Sequence, residues 1–218
     1  MMLPELSRSM LKNSSVLAVF AAITVAVVAF TQLSTAERIE QSIQQARELA
    51  LAEVLPPSLY DNALLDSMTL VDDPLLSNTQ PSPLYVATLN GKPSALVFNA
   101  TAPDGYSGSI RLLIAVLANG QISGVRVIQH KETPGLGDKI ELAKSPWILS
   151  FNGKSLTQPA IEHWGVKKDQ GEFDQFAGAT ITPRAVVKAT QQALVFFDQR
   201  QQDIFNTYLA QQGVPEEK

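Results

Sequence analysis

The apolar residues of the chain first form one continuous block and then a periodic pattern. From Ser14 to Leu33 the sequence is almost wholly apolar and holds no charged residue, which matches the about 20 residues needed to span a bilayer. From Ala36 to Leu55 apolar residues recur at helical spacing, and Pro56-Pro57 ends this pattern. We therefore predict a transmembrane helix over 14–33, followed by a helical stalk and connecting segment over 34–83.

A cleaved signal peptide is the main alternative to this anchor. Ser34-Thr35-Ala36 supplies the small residues of a cleavage site, but the apolar run exceeds the about 7–15 residues of a signal core. An uncleaved anchor is therefore favoured. Arg8 and Lys12 precede the span, and they favour a cytoplasmic location for residues 1–13.

Between residues 84 and 130 the pattern changes to short strand-forming segments. Asn90-Gly91 and Asn119-Gly120 are dipeptides typical of tight β-hairpin turns. The segments predicted to pair antiparallel are Leu84–Leu89 with Ser94–Phe98, and Ile110–Leu117 with Ile122–Gln129.

Helices are expected to cover one face of this sheet. The candidates are residues 138–145, where Asp138 is expected to cap the helix, and residues 183–208, whose apolar positions lie largely on one side. The fold class is therefore α+β: a single N-terminal transmembrane helix followed by one antiparallel-sheet domain covered by helices, over 84–210. The polar tail over 211–218 is expected to fray.

The amino-acid composition limits the cofactors and metal sites that the chain can hold. The 218 residues carry a net charge of −4 and include no cysteine, which excludes cysteine-ligated iron–sulfur clusters, c-type haem and thiolate zinc sites. The sequence has no basic patch of the kind that indicates nucleic-acid binding. His130 and His163 have no spacing that suggests a metal site, and Trp147, Phe151 and Trp164 are expected in the core. If the chain moves electrons, a bound organic cofactor must carry them.

The start of the last helix holds the candidate chemistry. Thr182-Pro183 is typical of a helix start, with a hydroxyl N-cap followed by proline at the first helical position. The small residues 177–179 allow close approach to the backbone. A helix N-terminus favours phosphate, and Thr180 offers a hydroxyl there.

These residues also resemble a known motif. Asp174, Gly178, Ala179 and Thr180 are similar to the flavinylation motif of the FMN-binding domains in the Rnf and Na⁺-NQR redox complexes. The resemblance implies that Thr180 carries FMN through a phosphodiester bond, with Thr182 nearby in the site. Ala177 departs from the motif, which usually has serine or threonine there.

A second stretch, His130–Ile140, resembles the same family. Its glycine-rich part is by itself typical of an ordinary turn, but the resemblance implies a loop beside the flavin that includes Thr133, Gly135, Leu136 and Gly137. The chain as a whole, with its length and single membrane helix, resembles the G subunits of Rnf ion-translocating electron transport complexes.

The resemblance implies an electron-transfer subunit that relays electrons through covalent FMN between partner subunits. The Rnf complex is understood to couple ferredoxin–NAD redox chemistry to Na⁺ or H⁺ transport. The expected location is the bacterial inner membrane, in contact with lipid, with a periplasmic FMN domain. Attachment requires a flavin transferase that uses FAD and recognises the residues from Asp174 to Thr180. The membrane span has no charged residue and so no ion path of its own.

Three alternatives remain open at this point. One is a component like the C subunit of Na⁺-NQR, and the second is an anchored flavoenzyme acting as a reductase. The third is a non-redox binding module on a membrane anchor. Flavin fluorescence that survives denaturing electrophoresis distinguishes a covalent flavoprotein from a binding module.

Overall fold

The computed structural model describes residues 3–212. The chain forms two compact units, residues 1–49 and residues 50–218. The first two residues of the predicted cytoplasmic segment and residues 213–218 of the predicted frayed tail lie outside the described residues.

One long α-helix, α1 (Leu3–Val54), begins in the first unit, and the two predicted helical segments are continuous within it. Between Ser7 and Val54 it is long and apolar enough to cross a membrane, with a mean hydropathy of 2.4 in its most apolar window. Hydroxyls within the apolar run donate to the carbonyl four residues earlier, as Thr24 does to Phe20 at 2.9 Å. This bonding satisfies polar groups inside the helix, as an apolar solvent requires.

The second unit is built on a five-stranded antiparallel sheet in the order β1-β2-β3-β4-β5. The strands are β1 (Thr69–Val71), β2 (Ser82–Leu89), β3 (Lys92–Ala102), β4 (Ile110–Leu117) and β5 (Ile122–Gln129). Both predicted hairpins are confirmed: Leu84 pairs with Phe98, and Ile114 pairs with Val125. The short edge strand β1 was not predicted.

Both faces of the sheet are covered, rather than one. The larger core lies between the sheet, the helix α2 (Ile181–Gln211) and several 3₁₀ turns. The smaller core lies on the opposite face, where Leu51, Val54 and Leu55 pack against β2, β3 and β4. Strands buried on both faces explain the nearly continuous apolar sequence of β3 and β4.

The helix predicted over 138–145 is wrong in extent and in its cap. Only a 3₁₀ turn forms, over Gly137–Ile140, with no side-chain cap. The carbonyl of Thr133 accepts the N–H groups of Leu136 and Gly137 at 3.2 and 3.0 Å. Backbone bonding thus closes this turn, and the Asp138 carboxylate is not required as a cap.

Candidate functional site

A cleft of about 270 Å³ lies between the loop after β5 and the start of α2. The fold brings the two predicted motifs, which begin 44 positions apart at His130 and Asp174, to opposite walls of this cleft. Its lining residues are Tyr106, Glu132, Thr133, Leu136, Gly137, Gly178, Ala179, Thr180, Ile181 and Thr182.

A buried carboxylate holds the base of the cleft together. Glu132 is only 4% exposed. Its Oε1 accepts the backbone N–H of Ser107 at 2.9 Å, and its Oε2 accepts the hydroxyl of Thr182 in a short hydrogen bond. Hydrogen bonds to a charged acceptor are the stronger kind, so this carboxylate fixes the first turn of α2 against the rest of the cleft.

Gly137 permits this close approach. A Cβ at this position would lie 2.9 Å from Oγ1 of Thr182 and 3.0 Å from the Glu132 side chain. No larger residue fits without displacing the bonded pair. The glycine predicted to lie beside a flavin therefore has a packing role at the cleft base.

The predicted N-cap role of Thr182 is wrong. The helix begins at Ile181, so Thr180 occupies the N-cap position, and its side chain makes no capping hydrogen bond. Thr182 is a buried first-turn residue whose hydroxyl bonds Glu132 instead, because that carboxylate lies directly against it. Pro183 lies third in the helix rather than first, where its missing N–H still leaves no acceptor unpaired.

The hydroxyl of Thr180, unlike that of Thr182, is free to react with a ligand in the cleft. Its side chain is half-buried on the cleft wall, and within residues 3–212 its hydroxyl has no hydrogen-bond partner. At the helix entry, the Thr182 hydroxyl is hydrogen-bonded to buried Glu132, whereas the Thr180 hydroxyl faces the cleft.

The loop that carries Thr180 is fastened to an aromatic cluster. The indole N–H of Trp147 donates to the carbonyl of Asp174 at 2.8 Å, and Phe176 packs edge-on against Trp147 at 5.1 Å. Ala179 then bonds back to the carbonyl of Phe176. Between them Gly178 has φ +80°, a left-handed conformation that favours glycine.

The same cluster confirms the predicted core positions of Trp147, Phe151 and Trp164. All three are buried, and Phe151 stacks on both Trp164 and Phe173 at centroid distances of 6.3 and 4.6 Å. The aromatic side chains thus support the loop from behind and do not line the cleft.

Two predicted site residues lie outside the cleft lining. Asp174 is on the surface, where its carboxylate pairs with Lys167 at 2.7 Å. Gly135 has φ +77° and shapes the turn between Thr133 and Leu136. Neither residue lines the cleft, so a role for either of them in the site is indirect.

His130 supports the wall that carries Glu132. Its Nδ1 accepts the backbone N–H of Glu132 at 3.0 Å, and its Nε2 lies 2.7 Å from Oε1 of Glu141. Since Nδ1 is an acceptor, the ring proton must lie on Nε2 and be donated to Glu141. These contacts give His130 a structural use.

An ion pair fixes the entrance of α2 from the outside. Arg184 donates Nε and Nη2 to the two oxygens of Asp169 at 2.5 and 2.6 Å. The hydrogen bond from Arg184 lowers the pKa of Asp169 below its ordinary value. Bidentate geometry of this kind restricts the direction of both side chains.

Three cleft residues were not identified by sequence reasoning. Tyr106 lies in the loop between β3 and β4, Glu132 was included only as part of a motif, and Ile181 was placed before the helix. No local pattern indicates their convergence, because it depends on the pairing of β4 with β5 and on the packing of α2.

Comparison with known proteins shows which family the chain resembles. The chain matches the family described as FMN-binding domain over residues 105–195, which include every residue that lines the cleft, and the RnfG N-terminal region over residues 1–54. The G subunit of the ion-translocating oxidoreductase complex of Pseudomonas aeruginosa (strain UCBPP-PA14) is 56% identical over 192 residues, covering 88% of this chain and 90% of that protein.

More distant relatives carry the same name. The G subunit from Vibrio atlanticus (strain LGP32) is 48% identical, covering 88% of this chain and 91% of the relative. Its counterpart from Shewanella loihica (strain ATCC BAA-1088 / PV-4) is 46% identical, covering 92% and 95%. With this identity extending over nearly the whole length of each protein, the chain belongs to the RnfG family, the G subunits of ion-translocating oxidoreductase complexes.

Proposed function

We propose that this chain is the electron-transfer subunit of an ion-translocating oxidoreductase complex, and that it carries FMN attached to Thr180 by a phosphodiester bond. One observation carries the proposal: the uncommitted hydroxyl of Thr180 faces a cleft formed by both motifs. The coupled reaction is ferredoxin–NAD redox chemistry linked to Na⁺ or H⁺ transport, in which this chain relays electrons.

The cleft residues fit a flavin mononucleotide. Half-exposed apolar side chains, including Leu136 and Ile181, suit a flat ring. The backbone at Gly178 and Ala179 leaves space next to Thr180, where a phosphate would meet the N-terminal end of α2.

In this proposal, several cleft residues have a defined role. FMN, when bound, supplies the electron-carrying chemistry that the cysteine-free chain lacks. Thr180 provides the covalent link, and Thr182 holds the helix start in place through Glu132. Leu136 and Thr133 line the opposite wall of the cleft.

Attachment requires a second protein. A transferase that uses FAD would form the bond between Thr180 Oγ1 and the phosphorus of the FMN half, while the pyrophosphate bond breaks. AMP leaves, and the hydroxyl proton passes to the transferase or to solvent. Asp174 lies exposed six residues earlier, and we assign it to transferase recognition rather than to flavin contact.

The membrane location follows from α1. In this proposal residues 14–33 lie in the lipid of the bacterial inner membrane, with residues 1–13 cytoplasmic. Residues 34–83 connect that span to the FMN-binding domain, residues 84–210, on the periplasmic side. The other subunits of the complex are its electron donors and acceptors.

The proposal is tested by two matched variants. The full chain would be produced in detergent, with and without a flavin transferase, as wild type, Thr180→Ala and Thr182→Ala. Fluorescence on a denaturing gel is expected for wild type and Thr182→Ala, and only with the transferase. Fluorescent Thr180→Ala beside dark Thr182→Ala would show that the attachment site is misassigned. A wild-type chain that stays dark with active transferase would favour the non-redox binding module.

A further inference from the structure

Three exposed apolar side chains surround the mouth of the cleft. Tyr106 is 68% exposed, Leu136 is 44% exposed and Ile181 is 46% exposed, and all three line the same cleft. A cluster of apolar side chains around a concave site is typical of a ligand-binding surface. Among these three, Tyr106 alone carries an aromatic ring.

The loop that presents Tyr106 is fixed at both sides of this residue. Asp104 pairs with Lys188 of α2 at 2.7 Å, and the N–H of Ser107 donates to Glu132 at 2.9 Å. Between them Gly105 is so tightly packed that a Cβ would lie 2.2 Å from the carbonyl oxygen of Gly108. Tyr106 is therefore exposed on a loop whose position is set by the protein.

Glu132 joins this loop to the opposite wall. One oxygen holds the loop through Ser107, and the other holds α2 through Thr182. The carboxylate thus sets the distance between the Tyr106 loop and the helix start that follows Thr180. Removing it would release both walls at once.

We propose that Tyr106 contacts the isoalloxazine ring of the flavin, and that Glu132 is the positioning residue that holds Tyr106 against it. This inference rests on the proposed attachment of FMN to Thr180. A phenol in contact with a flavin donates an electron to the excited ring and quenches its fluorescence, whereas a phenyl ring does not. The contact is therefore directly measurable by emission.

The first test replaces Tyr106. Wild type, Tyr106→Phe and Tyr106→Ala would be flavinylated as full chains, and flavin emission would be compared in the folded and denatured states at equal covalent loading. Because the side chain is largely exposed, both variants are expected to fold and to load fully. Both should lose quenching, so that folded emission rises toward that of the denatured chain. Ile161→Ala removes an apolar side chain that is 55% exposed outside the cleft and should match wild type.

The second test replaces Glu132. Glu132→Gln keeps the length of the side chain and an acceptor for Ser107, and its amide can bond the hydroxyl of Thr182, so it should stay quenched. Glu132→Asp is one methylene shorter and cannot reach both donors, so its folded emission should rise although Tyr106 is intact. The tryptophan melt of each variant checks that it is folded.

The outcomes are distinct. A loaded wild type whose folded emission equals that of Tyr106→Phe would overturn the ring contact. Folded, loaded Glu132→Asp with wild-type quenching would overturn the positioning role. A wild-type chain that acquires no flavin from active transferase would overturn the proposed function and this inference together, whereas a loaded chain with unchanged emission overturns the inference alone.

Discussion

Replacing Thr182 by valine tests how the helix entry is held. Valine keeps the β-branched shape but removes the hydroxyl that donates to Glu132. The Glu132 carboxylate is only 4% exposed. Of the two hydrogen bonds that it accepts among the described residues, it would keep only the one from the Ser107 N–H at 2.9 Å. A hydrogen bond to a charged group contributes about 1.5–3 kcal/mol, so we expect the free energy of unfolding to fall by about 2 kcal/mol.

Tryptophan fluorescence of the full chain measures this loss of stability in the second unit. Both tryptophans of the chain, Trp147 and Trp164, lie in the second unit, so their emission reports its unfolding without interference from the membrane helix. For a unit of this size about 1 kcal/mol shifts Tm by about 2–4 °C, and the expected decrease is therefore about 4–8 °C. Covalent flavin should be retained.

A double-mutant cycle distinguishes the Glu132 bond from a simple cap. If Thr182 acted only as a cap, Thr182→Val and Glu132→Gln would be additive. The bond predicts instead that Thr182→Val costs less in the Glu132→Gln background than in wild type, because the amide leaves Thr182 a neutral hydrogen bond in place of the charged one. Thr182→Ser, which keeps a hydroxyl, is the matched control and should retain most of the stability. Additive losses would refute the reasoning.

Three further predictions use the same melt. Gly137→Ala should lower the unfolding free energy by about 1–3 kcal/mol, because its Cβ crowds the bonded pair at the cleft base; an unchanged Tm would contradict this. Gly124→Ala should cost a similar amount, because its Cβ would lie 2.7 Å from a backbone oxygen at the end of α1, whereas the control Gly165→Ala meets its nearest atom at 3.7 Å. Asp169→Asn should lower Tm at pH values above the ordinary aspartate pKa of 3.8. Since Arg184 lowers the pKa of Asp169 in the folded state, this difference from wild type should disappear as the pH falls through that lowered pKa; a difference that grows on acidification would contradict the pairing.

Local sequence signals were sufficient for much of the fold. Asn90-Gly91 and Asn119-Gly120 indicate both hairpins, because Asn90, Gly91 and Gly120 adopt the left-handed conformation that tight chain reversals need. The apolar run of α1 and the periodicity of α2 likewise reflect interactions within a few turns of helix. These features depend on neighbours in sequence, which a pattern can record.

The missed features depend on contacts between distant residues. Thr182 was assigned as a cap from its neighbour Pro183, but its actual partner, Glu132, lies 50 positions earlier. The three-residue strand β1 is too short to show a period. Tyr106 lies in the loop between β3 and β4, and only the packing of the sheet and α2 brings it to the cleft.

The central claim is that Thr180 carries the flavin, and peptide mass spectrometry tests it most directly. The full chain would be produced with a flavin transferase, digested, and searched for peptides that gain the mass of FMN minus one water. The account predicts this increment on Thr180 alone, with Thr182 unmodified and no increment in the absence of the transferase. An increment on any other residue, or an unmodified Thr180 in a chain exposed to active transferase, would contradict it.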